Sequence, residues 1–155
     1  MDGIFALTFI AVVIVLVFDY TNGFHDAANV VATVIASRAM TPGQAVAVVG
    51  VFEFLGPLLG GTAVANTIGG FVDLSNLAAS HAIVVVLAGL IGAIAWNLLT
   101  WWRGLPSSSS HALVGGLIGA TVLAAGAEHV VWGMDAWRSD GHLTGVLKVL
   151  AALIL

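Results

Sequence analysis

Two stretches of the chain, residues 74–102 and 104–127, contain no Asp, Glu, Lys or Arg. A helix of about 20 apolar residues crosses the hydrocarbon core of a bilayer, so either run is long enough to span. Residues 3–18 are uncharged too, but that run is shorter and spans only if its helix continues past Asp19. A soluble alternative fails on composition. Of the 155 residues 60% are hydrophobic and 8% charged, with a mean hydropathy of +1.10, whereas soluble domains carry roughly 25% charged residues. So few polar side chains cannot cover a water-facing surface. The expected fold class is all-α, a polytopic transmembrane helix bundle with lipid as its solvent.

Other classes find little support in the residues. A signal peptide is the alternative for the first apolar stretch, but Asp2 stands where that signal needs Lys or Arg, and no small-residue cleavage site precedes the polar segment. The net charge of −4 comes from scattered acids and gives no basic face for nucleic acid. With no Cys there are no disulfides, thiolate metal sites or cysteine nucleophiles. The histidines at 25, 81, 111, 129 and 142 lack zinc-ligand spacing. No Walker loop and no Gly-x-Ser-x-Gly elbow occur, so neither nucleotide hydrolysis nor serine hydrolysis is expected. The chain reads as a non-enzyme without a cofactor.

Along the chain, residues 4–20 form a first helix, Thr21-Asn22-Gly23 a break, and residues 25–37 a second helical piece, because Asn-Gly is a turn dipeptide. A broken helix inside a bilayer must line a polar cavity or be buried in protein. Pro42 marks a helix start, and that helix runs from Gln44 towards Thr67, with Glu53 and Pro57 interrupting its apolar character. Residues 69–80 are an exposed connection. A long helix covers 81–101, with Trp96, Trp101 and Trp102 where an interfacial belt belongs. Gly104 and Pro106 end it, and residues 111–125 make a further helix rich in glycine. Residues 128–142 are the most polar part and form a loop or interfacial segment. A last apolar helix starts at Leu143 and is cut off at Leu155, so the chain is expected to be a single transmembrane domain truncated there. Arg38 and Arg103 lie at helix ends, which the positive-inside rule places in the cytoplasm.

Two constellations carry chemistry. In the first, Asp26 and Asn29 lie three residues apart and share a helix face. A carboxylate at membrane depth is expensive unless it meets a cation or donors, which makes it a functional candidate or else a helix cap at the surface. Asn29 adds a carbonyl oxygen for a small cation and an NH2 group for an anion. The second is Ser107, Ser108, Ser109 and Ser110, directly after Gly104-Leu105-Pro106 and before His111. Free N–H groups at a helix start attract anions, and serine hydroxyls add donors without bulk. One serine would suffice for a plain N-cap. Glu53 is a third buried-charge candidate, either a proton carrier or a charge that neutralises an arginine or faces a subunit interface. Glu53, His25 and His111 are the candidates for proton transfer or gating.

These motifs together resemble the PiT family of inorganic phosphate transporters, of the bacterial low-affinity type. The resemblance rests on Asn-Gly-Phe-His-Asp-Ala-Ala-Asn-Val-Val-Ala-Thr-Val-Ile at 22–35, Leu-Gly-Gly-Thr-Ala-Val-Ala at 59–65 and Gly-Leu-Pro-Ser-Ser-Ser-Ser-His at 104–111, with Trp96-Asn97 and Trp101-Trp102 between. It implies a multi-pass protein of a bacterial or archaeal plasma membrane that carries phosphate by symport with H⁺ or Na⁺. It implies an inverted repeat of two halves with broken or re-entrant helices, of which this chain is the N-terminal half. The second half would be on the same chain or another subunit, and a homodimer is an allowed partner state. Asp26, Asn29 and the four serines would surround phosphate, and Asp26, Asn29 and Ser110 the coupling ion, with Na⁺ at Asp26 and Asn29 as its metal form. Eukaryotic relatives place an acid where this chain has Asn66, so H⁺ against Na⁺ stays open. Sulfate or a metal phosphate on the same fold, or a non-transporting assembly subunit, are the alternatives.

Overall fold

The protein is described by a computed structural model covering residues 2–61, 66 and 69–154. Six α-helices are defined among them: α1 (Asp2–Ala36), α2 (Pro42–Gly60), α3 (Ala79–Arg103), α4 (Ser109–Ala124), α5 (Met134–Asp140) and α6 (Gly145–Ile154). Among the described residues the only β pairing is an isolated bridge between Val72 and Val130. Helices α1, α2 and α3 are each long and apolar enough to cross a membrane. Large apolar side chains stand exposed along them, among them Phe5, Phe9, Leu16, Phe52 and Trp102. In water such a surface would drive aggregation, whereas in lipid it is the expected outer face. The chain is an integral membrane helix bundle.

The expected break at Thr21-Asn22-Gly23 is corrected. Helix α1 runs unbroken through it and continues past Asp19 to Ala36. A glycine inside a helix costs about 1 kcal/mol, but opening a helix away from water frees peptide groups at several kcal/mol each. Nothing here forces the opening, since no proline intervenes and Thr21 Oγ1 bonds back to the Phe18 carbonyl at 2.9 Å. At 1.5 Å per residue the 35 residues of α1 extend about 52 Å. The helix therefore outruns a hydrocarbon core of about 30 Å or tilts within it.

Helix α2 starts as its sequence demands. Pro42 occupies the first turn, where a missing N–H is harmless. Thr41 Oγ1 accepts from the Gln44 N–H, and the Thr41 N–H donates to Gln44 Oε1, which makes a reciprocal capping box. Pro57 lies inside the last turn and cannot donate to the Glu53 carbonyl. The rest of the expected helix towards Thr67, with the 62–65 part of the quoted motif, lies outside the described residues, apart from Asn66.

Helix α3 ends at Gly104, which takes the left-handed conformation at φ 64° and ψ 28°. Its N–H reaches the Trp101 carbonyl at 3.0 Å, and the Leu105 N–H reaches Thr100 at 2.9 Å. That closes the helix end and turns the chain back into α4. The uncharged run 104–127 is thus not one span. It contains this turn and a helix of 16 residues, about 24 Å long.

Glycines set the register of the α3–α4 hairpin. A Cβ on Gly116 would overlap the Gly89 carbonyl oxygen, and one on Gly89 would sit 2.9 Å from Leu117 Cδ2. Backbones can meet this closely only where side chains are missing. Phe18 on α1 joins Leu90 and Ala93 in the buried core, with Ala112 and Leu113 of α4 against them. Further along both helices His25 meets Thr100, so α1 and α3 run parallel, and Arg38 and Arg103 lie towards the same end of the bundle.

The polar segment 125–142 is ordered rather than a plain loop, with a short 3-10 turn at Ala127–His129 followed by α5. The Val131 N–H bonds to the Phe71 carbonyl at 2.9 Å, and the Asp73 N–H to His129 at 2.7 Å. These bonds tie it to the connection before α3.

Candidate functional site

The interior between α1, α3 and α4 changes character along its length. Around Phe18, Leu90 and Ala93 it is apolar. One to two turns further on, the buried positions become Thr21 and His25 on α1, Asn97 and Thr100 on α3, and Ser109 on α4. Each set follows the three- and four-residue spacing of one helix face. A continuous internal stripe thus passes from hydrocarbon to hydroxyls, imidazole and amide. The polar end coincides with the start of α4.

Ser108 is the N-cap of α4, and its Oγ accepts from the His111 N–H at 3.3 Å. Ser109 is turned inward and 1% exposed. Its hydroxyl donates to Asp26 Oδ1 at 3.1 Å, across 83 residues of sequence. The same Oδ1 lies 3.3 Å from Nδ1 of His25, which is 3% exposed. On its other side His25 Nε2 approaches Thr100 Oγ1 at 3.3 Å and Ser107 Oγ at 3.4 Å, and those two hydroxyls are 3.0 Å apart. Thr100 Oγ1 also lies 2.9 Å from the Trp96 carbonyl. One network therefore links α1, the end of α3, the turn and the first residue of α4.

Asp26 is the sole formal anion in this network, with a side chain 42% exposed. It lies at the positive end of the α4 dipole, where a negative charge is favoured. Aromatic packing steadies this end of α1, because Phe24 meets Tyr20 and Trp101 edge to face at 5.6 and 5.4 Å. The exposed hydroxyl of Ser108 and the His111 ring border a groove between α3 and α4, together with Gly92 and Trp96.

Of the residues singled out from sequence, Asp26, His25, Ser107 and Ser109 come together. Ser108 and Ser110 stand on the exposed side of the α4 start. Asn29 is exposed, one turn along α1 from Asp26, and Glu53 is exposed on α2 beside Val30, Val49 and Phe52. Sequence reasoning missed Thr100 as a participant and noticed Asn97 only as part of a motif. The available signal was their spacing from Ala93, which puts all three on one α3 face.

A family model described as the phosphate transporter family matches residues 22–155. The probable low-affinity inorganic phosphate transporter of Streptomyces halstedii is 50% identical over 135 residues, covering 83% of this chain and 60% of that protein. A protein of the same description from Bacillus subtilis is 41% identical over 156 residues, 100% of this chain and 43% of its own length. The Escherichia coli low-affinity inorganic phosphate transporter PitA is 49% identical over 116 residues, 73% of this chain and 23% of its own. The chain thus spans 60% or less of the length of these relatives. All three are named as transporters, not enzymes. No solved structure matches the chain.

Proposed function

The chain belongs to the phosphate transporter family, and from that premise we propose that it forms one half of a secondary transporter carrying inorganic phosphate across the cell membrane together with a cation. The observation that carries this reading is the bond from Ser109 Oγ to Asp26 Oδ1. The start of α4, with its free N–H groups and hydroxyls, offers an anion what it needs. Asp26 engages one of those hydroxyls and presents a negative charge beside it. Two like charges a few ångströms apart repel, and more strongly where water is excluded. Phosphate therefore binds well only after Asp26 is neutralised, and a proton or Na⁺ does that. Coupling follows from electrostatics at a single carboxylate.

In this scheme the hydroxyls of Ser107 to Ser110 and the α4 N–H groups hold phosphate, while Asp26 holds the cation. Asn29, one turn from Asp26, supplies an amide from the exposed side of α1, where a second half would face it. His25 fixes the serine turn against α1, and Glu53 and His111 remain candidates for gating. Helix α4, shorter than a full span, suits a re-entrant pair with α3 whose N-terminus ends at membrane depth. A second, inverted copy of these signatures, on the same chain or another subunit, would complete the site. Alternating access would rock the halves against each other.

Uptake of labelled phosphate into proteoliposomes holding the full-length protein tests this. The expectation is accumulation driven by a Na⁺ or a proton gradient, and no uptake under either sinks the reading. Serine hydroxyls would accept sulfate as well, so competition among phosphate, sulfate and metal phosphate assigns the substrate. Asp26→Asn abolishes coupled uptake in a transporter and leaves a purely structural membrane subunit intact.

A further inference from the structure

Resting on that reading, we propose that Asn97 supplies a neutral oxygen ligand to the coupling cation, and that this cation is Na⁺ held between Asn97, Ser109 and Asp26. Asn97 is 0% exposed, and among the described residues neither its Oδ1 nor its Nδ2 has a hydrogen-bond partner. Buried polar groups are nearly always hydrogen-bonded. An amide with both ends unpaired, inside a three-helix interior, is a group kept for something other than packing. Apolar residues of similar volume would fill the same space without that cost.

Its position follows from the helix register. Ala93 belongs to the core cluster against which Ala112 and Leu113 pack, Gly89 lies against Gly116 and Leu117, and Thr100 Oγ1 is 3.0 Å from Ser107 Oγ. These levels place α3 antiparallel to α4. One turn beyond Ala93 on α3 is Asn97, and one turn before Ala112 and Leu113 on α4 are Ser108 and Ser109. Asn97 is therefore level with Ser109, whose hydroxyl reaches Asp26. The main chain joins the same end, since the Asn97 carbonyl lies 3.1 Å from Thr100 Oγ1.

The chemistry selects the ligand. Ser109 and Asn97 are too enclosed, at 1% and 0% exposure, for a tetrahedral oxyanion to reach both without parting the helices. A dehydrated monovalent cation is small enough. The oxygens available are one carboxylate, one hydroxyl and one amide carbonyl, a hard donor set with a single negative charge. That charge balances Na⁺ and leaves a divalent ion uncompensated. When Na⁺ takes Asp26, the Ser109 hydrogen is released and its oxygen lone pairs turn to the ion. The Asn97 carbonyl oxygen then meets the ion as its partner.

The test is the thermal melting of full-length protein in detergent, in NaCl and in choline chloride of equal ionic strength, for wild type, Asn97→Leu and Asn97→Asp. Labelled-phosphate uptake by the same preparations is followed against Na⁺ concentration. Na⁺ is expected to raise the wild-type melting temperature. Asn97→Leu should melt no lower than wild type in choline, lose the Na⁺ shift, and need about 10–100-fold more Na⁺ for half-maximal uptake. Asn97→Asp should keep the shift. A Na⁺ shift that survives in Asn97→Leu overturns the proposal, as does a wild type that transports phosphate but shows no Na⁺ shift. If Asn97→Leu does not fold, Asn97→Asp decides, and its losing the shift overturns the proposal. Loss of phosphate uptake with an intact, Asn97-dependent Na⁺ shift removes the transport reading and supports the cation site.

Discussion

Replacing Gly116 by alanine measures how much of the architecture depends on the close approach of α3 and α4. The new Cβ would overlap the Gly89 carbonyl oxygen, and it would lie 3.2 Å from the carbonyl carbon and 3.4 Å from Gly89 Cα. Ordinary carbon contacts fall at about 3.5–4.0 Å. Backbone atoms block on the α3 side, so no rotamer change relieves the overlap. The helices must separate at this level by on the order of 1 Å, a gap that also forfeits dispersion contacts around it. Overpacking of this kind costs about 1–3 kcal/mol. At roughly 2–4 °C per kcal/mol for a chain of this size, the melting temperature falls by about 2–12 °C. The control is Gly119→Ala on the same helix, whose Cβ meets nothing within 4 Å. Both substitutions share any gain in helix propensity, of about 1 kcal/mol, so their difference isolates the clash. The assay is thermal melting in detergent followed by near-ultraviolet circular dichroism. If Gly116→Ala melts at or above Gly119→Ala, the close approach of the two backbones is wrong.

Three further outcomes are expected. Ser109→Ala removes the hydroxyl that donates to Asp26. In the proposed scheme that hydroxyl turns to phosphate and the cation once Asp26 is neutralised, so at the low end of about 1.5–3 kcal/mol for a bond to a charged group phosphate uptake falls about tenfold; unchanged uptake would refute that role for Ser109. His25→Phe keeps a buried ring but strips both nitrogens from Asp26, Thr100 and Ser107. It should lower stability by about 1–3 kcal/mol, and a melt equal to wild type would show that His25 does not hold α1 to the serine turn. Asp73, outside the spanning helices, accepts from the Ser75 hydroxyl at 2.6 Å and its N–H at 3.0 Å, bonds that hold its carboxyl below the ordinary value of 3.8. A depressed carboxylate stabilises fully above its unfolded pKa and loses that contribution as pH falls through the folded value. Protection of the Ser75 amide against hydrogen exchange, corrected for intrinsic rates, should stay flat above about pH 5 and decline only in stronger acid; a decline near neutrality would contradict it.

Much of this fold is written in the spacing of its charges. The empty run 74–102 and the Pro42 and Gly104 punctuation locate the start of α2 and both ends of α3 closely, because proline and glycine act through local backbone geometry. The start of α4 is legible for the same reason, since Ser108 caps it. The Asn22-Gly23 turn signal misleads, because turn propensities describe chains whose opened peptide groups can bond to water. Inside an apolar bundle the helix keeps its ladder. The pairing of Asp26 with Ser109 depends on α1 and α3 running parallel, and no local pattern states that. Thr100 is hidden by its surroundings: one hydroxyl in a long apolar run carries no periodic signal until Asn97 and Ala93 are seen to share its face. The short α5 escapes because seven residues between glycines leave too little periodicity to distinguish a helix from a polar loop.

The crossing of Gly89 over Gly116 has a mechanical meaning as well. Where two backbones touch without side chains between them, the pair has a fulcrum: neither helix can slide far, but each can tilt about the contact. The Ser109 level lies about 10 Å along α4 from that point. A tilt on the order of 5° moves it by about 1 Å, enough to take a 3.1 Å bond to Asp26 beyond bonding distance. A lever of this proportion turns a small rotation about the glycine contact into the opening or closing of the Ser109–Asp26 contact.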